Sequence, residues 1–205
     1  VRLHAHHRMA AFYAELCAPK GVTKVANAHN TFTDKKKLTQ FAYRDTRVIA
    51  VGERVRENLT EHFGIPKERV CVIHNAVKPF DGRGMPVELL NRARTEGNVL
   101  IGNVGRLSEQ KGMQYFVEAA EITAKSHPEA RFIIVGDGEE KERLQQSAAA
   151  KKLQEKVFFL GYRDDIQNVM SQLDFIVLSS LWEGLPLTPI EAYSVGKTVV
   201  ATAVE

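Results

Sequence analysis

At 205 residues, 44% of them apolar and 26% charged, the chain has the composition of an ordinary globular protein of one large domain or two small ones, which excludes a disordered or fibrous chain. No apolar run is long enough to span a bilayer, no charged-then-apolar leader follows Val1, and the only cysteines, Cys17 and Cys71, argue against a disulfide framework and fit a reducing cytoplasm. The net charge of +3 is unevenly spread: residues 1–80 carry 14 Lys/Arg against 7 Asp/Glu, and residues 81–205 carry 14 against 18. The basic half leaves peripheral contact with an anionic membrane open, although a solvated helix face beginning at Lys35-Lys36-Lys37 explains the same residues. No basic run interleaved with aromatics appears, so no nucleic-acid partner is expected.

Short β-branched runs at 23–28, 47–51, 70–73, 98–103, 131–135, 156–160, 174–178 and 198–201 predict strands. Helix-period segments at 53–62, 113–126, 139–151 and 187–195 fall between them. Such alternation predicts an α/β protein with parallel sheets, ligands binding at the carboxyl ends of the strands. Residues 79–97 include Asp81-Gly82-Arg83-Gly84-Met85-Pro86 and no strand pattern, so they read as a linker. The expected division is a first lobe over 1–80, a linker over 81–97 and a second lobe over 98–205. With three clear strands in the first lobe and an end just after a strand in the second, both lobes read as incomplete, the chain being a piece of a longer enzyme.

Three constellations carry chemistry. Asn103-Val104-Gly105-Arg106 through Lys111-Gly112 follows the first strand of the second lobe. Gly105 lets backbone approach a ligand, and Arg106 and Lys111 supply a planar fork and a mobile charge for one diphosphate; both also fit a plain surface loop. Glu183-Gly184-Leu185-Pro186-Leu187 runs into a helix whose first amides lack partners, an anion site flanked by carboxylates. Glu183 can face a sugar. Glu191 can accept from vicinal ribose hydroxyls, or close a capping box begun by Thr188-Pro189. His29 ends a strand, where it can hydrogen-bond a sugar hydroxyl or donate to a departing phosphate. His4, His6 and His7 have no Cys or Glu at ligand spacing, so packing or loop hydrogen bonding is expected of them and no metal.

Gly105-Arg106-Leu107 with Lys111-Gly112, Val135-Gly136-Asp137-Gly138, Phe159-Leu160-Gly161, and Glu183 through Glu191-Ala192 occur in an order that resembles glycosyltransferase family 4 along nearly the whole chain. The resemblance implies the GT-B fold of two Rossmann-like lobes and a retaining transfer of a sugar from a nucleoside-diphosphate sugar, UDP or GDP, to a hydroxyl acceptor. It implies cell-envelope glycan synthesis in the cytoplasm or at the inner face of the membrane, with no metal or other cofactor. By the same resemblance Arg106 and Lys111 hold the diphosphate, and Glu191 holds the ribose. Glu183 with the turn of Gly184, Leu185, Pro186 and Leu187, whose N–H groups come from all but the proline, meets the transferred sugar and diphosphate, His29 faces the reacting sugar, and the segment with Gly161 and Arg163 reads the base. Two departures stand out. Asn75-Ala76-Val77-Lys78 replaces the usual Asn-Gly-Val-Asp, and the glycine-rich first loop and C-terminal tail of such enzymes are absent, so weak or no transfer by the isolated chain is expected. A sugar-nucleotide 2-epimerase of the same architecture and a non-catalytic nucleotide-sugar-binding fragment are the alternative readings.

Overall fold

Every run read as a strand forms one, and all of them pair in parallel. The computed structural model describes residues 1–204 and divides into two units, one of residues 1–75 and 183–186, the other of residues 76–182 and 187–204. In the first unit β1 (Arg2–Ala5), β2 (Thr23–Ala28), β3 (Arg47–Ala50) and β4 (Val70–Val72) lie side by side in chain order. The crossovers carry α1 (Arg8–Cys17), α2 (Lys36–Ala42) and α3 (Glu53–Glu57). Ala26, Ala28, Val48 and Ala50 are fully buried, and these small strand residues make room for Tyr43, Leu59 and Phe63 in the same core.

The helix expected over 53–62 is split. After α3 the chain winds into a π turn over Asn58–His62. There Asn58 Oδ1 accepts the Phe32 amide and Nδ2 donates to the Phe32 carbonyl, both at 3.0 Å, while Leu59 and Phe63 remain in the core. The wider turn reconciles a core-facing side with a polar clasp on the loop after β2.

The second half of the stretch read as a linker is instead α4 (Glu88–Thr95). Leu90 and Ala93, three residues apart, are buried in the second unit's core, and Glu88 at the start with Arg92 and Arg94 at the end suits the helix dipole. The Gly- and Pro-rich residues ahead of it mask this pattern in the sequence.

The second unit holds β5 (Val99–Val104), β6 (Ala130–Val135), β7 (Val157–Gly161), β8 (Phe175–Leu178) and β9 (Thr198–Ala201) in the order β7-β6-β5-β8-β9. Its helices are α5 (Met113–Ser126), α6 (Lys141–Ala150), α7 (Ile166–Ser171) and α8 (Leu187–Ser194). Ile101, Phe132 and Ile134 enter one core, and Leu100, Ile133 and Val135 enter a second. Consecutive residues thus bury on opposite faces, which is why these strands read as unbroken apolar runs. Strand order reverses at β5, which opens a crevice at the carboxyl ends of β5 and β8.

Candidate functional site

The crevice of the second unit is built by loops that brace one another. After β5, the Gly105 amide donates to Val135 at 3.0 Å, the Leu107 amide to Asp137 at 2.9 Å, and the Glu140 amide returns to Leu107 at 3.0 Å. Gly136 is required here, because a Cβ on it would overlap the Gly105 carbonyl oxygen. The Gly136-Asp137-Gly138 turn is therefore a brace for the Gly105-Arg106-Leu107 loop as well as a link into α6. On the other side, Asn103 Nδ2 donates to Ser179 Oγ at 2.9 Å, and Ser179 Oγ donates to the Lys111 carbonyl at 3.0 Å. The aliphatic part of Lys111 runs beside Gly105, its Cε 3.5 Å from where a Cβ on that glycine would stand.

A cleft of about 500 Å³ lies over these loops, lined by Gly105, Arg106, Asp137, Tyr162, Arg163 and Glu191 among others. Arg106 donates to Glu139 at 3.1 Å, an exposed ion pair that leaves most of its fork available. Helix α8 begins at Leu187, so Thr188 lies inside its first turn, with its hydroxyl donating to the Val104 carbonyl at 3.3 Å. The capping box is not formed. Among the described residues no hydrogen bond engages the Glu191 carboxylate, which lines the cleft half-buried, and burial pushes its pKa up. Arg163 lines the cleft too, but its Nε and Nη2 clasp both oxygens of Asp165 at 2.8 and 2.7 Å. That pair holds Asp165 below the usual carboxylate range and raises Arg163. Gly161 closes this side, its carbonyl accepting the Gly136 amide at 2.8 Å.

The remaining expected residues belong to the first unit. His29 follows β2, and Gly184 packs against its carbonyl oxygen. Asn75 Nδ2 donates to the Leu185 carbonyl at 2.7 Å, and the Leu185 side chain packs on the core. Glu183 is buried at the start of this strap, which ends with Pro186. The His29 imidazole is held below its ordinary pKa by desolvation and then by the neighbouring His6 and His7, so it is neutral near pH 7. The expected residues thus form two groups: His29, Glu183, Gly184, Leu185 and Pro186 on the first unit, and Gly105, Arg106, Lys111, Gly161, Arg163, Leu187 and Glu191 on the second. Sequence reasoning missed Asn103 and Ser179. A polar Asn at the buried end of an apolar strand was the available signal.

Residues 91–205 match the family described as Glycosyl transferases group 1, and residues 2–79 match the one described as Glycosyltransferase Family 4. An uncharacterised glycosyltransferase of Methanocaldococcus jannaschii is 31% identical over 167 residues, which is 80% of this chain and 41% of that protein. The Escherichia coli UDP-Gal:alpha-D-GlcNAc-diphosphoundecaprenol alpha-1,3-galactosyltransferase is 29% identical over 216 residues, 95% of this chain and 55% of that protein. The chain therefore spans about half the length of the curated relatives it matches. The crystal structure of Anabaena HepE in complex with UDP and glucose superposes with a TM-score of 0.82 at 24% identity, covering 99% of this chain and 59% of HepE. Staphylococcus aureus TarM in complex with UDP gives 0.75 at 22% identity, over 91% of this chain and 38% of TarM. These likenesses establish the fold as two Rossmann-like α/β units of the GT-B kind. By the match over its larger part, the chain belongs to the glycosyl transferases group 1 family.

Proposed function

We propose that this chain carries the donor-binding part of a retaining glycosyltransferase that moves a hexose from a nucleoside-diphosphate sugar to a hydroxyl acceptor. One observation supports it above the rest: at the strand-order reversal of the second unit, a single cleft has the cationic Arg106 at the Gly105 loop and the unbonded carboxylate of Glu191 on α8. A diphosphate next to a ribose presents the complementary groups, anionic oxygens beside vicinal hydroxyls. UDP is the favoured donor nucleotide, since HepE and TarM were each crystallised with it and the galactosyltransferase relative is named for UDP-Gal.

In this reading Arg106 and Lys111 neutralise the charge that grows on the diphosphate as the glycosidic bond breaks. The leaving phosphate then accepts the acceptor proton on the same face, so the anomeric configuration is retained. His29 and Glu183 meet the transferred sugar. With two cations in place, transfer needs no resident metal. The acceptor is a glycan, a lipid or a small molecule, and the protein works in the cytoplasm. Contact with the inner membrane face through the basic first unit is part of the proposal; among the described residues no helix is long and apolar enough to cross a membrane. Calorimetric titration with UDP and GDP tests the reading. Binding of UDP that is lost in Arg106→Ala supports it, and an affinity unchanged by Arg106→Ala or Glu191→Gln removes its basis.

A further inference from the structure

Three imidazoles stand in a row where β1 and β2 end. The ring centroids of His4 and His6 are 4.3 Å apart and those of His6 and His29 6.1 Å, with planes inclined by 35° and 20°. All three residues are exposed, so core packing does not account for the row. His7 stands beside it as the N-cap of α1, where its Nδ1 accepts the Met9 amide at 3.2 Å and so leaves Nε2 as the protonated nitrogen of the neutral ring. The helix it caps is ten residues long, and its start presents amides without intrahelical partners together with the positive end of its dipole.

The charges around the row are few. Arg8 is committed to Asp34, at 3.0 Å, and to Thr39. His4 Nε2 is bonded to Asn27 Oδ1 at 2.7 Å. Glu183 is buried in the strap whose next residue, Gly184, covers the His29 carbonyl. Desolvation, and after it the neighbouring His6 and His7, already hold the His29 imidazole below its ordinary pKa. A ligand with several negative charges reverses that balance, since it gains from each proton the row takes up. A cation does not fit: among the described residues no three His, Cys, Asp or Glu side chains are arranged to hold one.

We infer that the histidine row and the start of α1 form a phosphate-binding subsite, occupied by a phosphate group of the acceptor. This assignment rests on the reading of the chain as a transferase whose acceptor meets the first unit. It names the acceptor class as phosphorylated, which neither the fold nor the family requires.

The test is a pH titration of the histidine ring signals by NMR on this chain, in inorganic phosphate and in chloride at matched ionic strength. Phosphate is expected to move the ring signals of His6 and His29 and leave those of His62 and His74 in place, with affinity falling about tenfold per pH unit as one linked proton is lost. His6→Gln should lower the phosphate affinity at least fivefold while His62→Gln leaves it unchanged. A hexose 1-phosphate and vesicles of phosphatidic acid separate a sugar-borne from a lipid-borne phosphate, and a response of the row to either supports the assignment. Identical curves in phosphate and chloride overturn it, as do equal shifts at His62 and His74. If UDP moves the row and inorganic phosphate does not, the anion is the donor's and the acceptor assignment fails. UDP binding that depends on Arg106 is scored separately, so loss of this inference leaves the donor reading standing and is distinguishable from its failure.

Discussion

Gly184 lies against the carbonyl oxygen of His29, so close that a Cβ at position 184 would overlap it, and the next atoms in reach, the carbonyl carbon of His29 and the Asn30 Cα, are also backbone. Backbone cannot rotate aside as a side chain does, so Gly184→Ala must push the strap off the end of β2. A cost of about 1–3 kcal/mol in stability is expected, as for other overpacked sites. Thermal unfolding measures it. A variant as stable as the parent would show that the strap is not fixed by this contact.

Arg106 and Glu139 form an exposed pair, of the kind worth roughly 0–1 kcal/mol. Arg106→Ala is therefore expected to leave the unfolding midpoint nearly unchanged while weakening UDP binding by about 1.5–3 kcal/mol, ten- to a hundredfold, the usual cost of a lost charge-assisted hydrogen bond. Glu139→Gln gives the opposite sign. With its competitor neutralised, Arg106 turns to the diphosphate at a lower cost, so UDP binds more tightly. Isothermal titration of the two variants separates a ligand-binding Arg106 from a merely structural one.

The strands and the parallel order were legible because β-branched runs bounded by turn residues have few other fates, and the continuous apolar runs at 98–103 and 131–135 reflect a sheet covered on both faces. Helix α4 was not, since its two buried contacts, Leu90 and Ala93, follow directly on a segment rich in Gly and Pro. The Glu183-to-Glu191 stretch reads as one motif, yet Glu183–Pro186 belongs to the first unit and Leu187 onward to the second. Spacing along a chain says nothing about which core a Leu enters. The capping reading of Glu191 fails for a reason the spacing does not carry: the helix starts before Thr188, whose hydroxyl donates to Val104. Arg163 shows the converse. Its charge was plain in sequence, but the clasp by Asp165 two residues on was not.

Glu191 sets a cost in stability against a gain in binding. Its carboxyl is raised above the ordinary 4.5 by burial alone, so at neutral pH the folded state holds a partly desolvated charge without compensation. Because the folded state keeps its proton to higher pH than the unfolded one, this group's contribution is most favourable below 4.5 and is lost as pH rises through the folded pKa. Glu191→Gln should therefore raise the unfolding midpoint at pH 7 relative to the parent, with the difference vanishing in acid. The same change should weaken UDP binding by about tenfold or more, as expected when an ionised acceptor of ribose hydroxyls becomes neutral. Melting curves at both pH values with a UDP titration read the two signs. A variant that loses stability at neutral pH means that the carboxylate has a structural partner.

Asn103 and Ser179 are the polar pair through which β5 and β8 hold Lys111. Both are buried, and the chain Asn103 Nδ2 to Ser179 Oγ to the Lys111 carbonyl spans 76 residues of sequence with two hydrogen bonds of 2.9 and 3.0 Å. Asn103→Ala removes the first donor and leaves a buried hydroxyl under-satisfied, at a cost of about 1–3 kcal/mol. Its functional effect separates positioning from general loosening. Leu153→Ala, a buried position just ahead of β7 in the other core, should cost a comparable or larger amount, about 2–5 kcal/mol. If the tether positions the lysine, Asn103→Ala lowers UDP affinity well below the melting temperature and Leu153→Ala does not, although the latter is the less stable protein. Ser179→Ala should reproduce the Asn103→Ala loss, and the double variant should lose little more than either single one, because both act through the same carbonyl. Additive losses in the double variant would assign the two residues to separate roles and leave the Gly105 loop and its Gly136 brace as the elements that set the lysine.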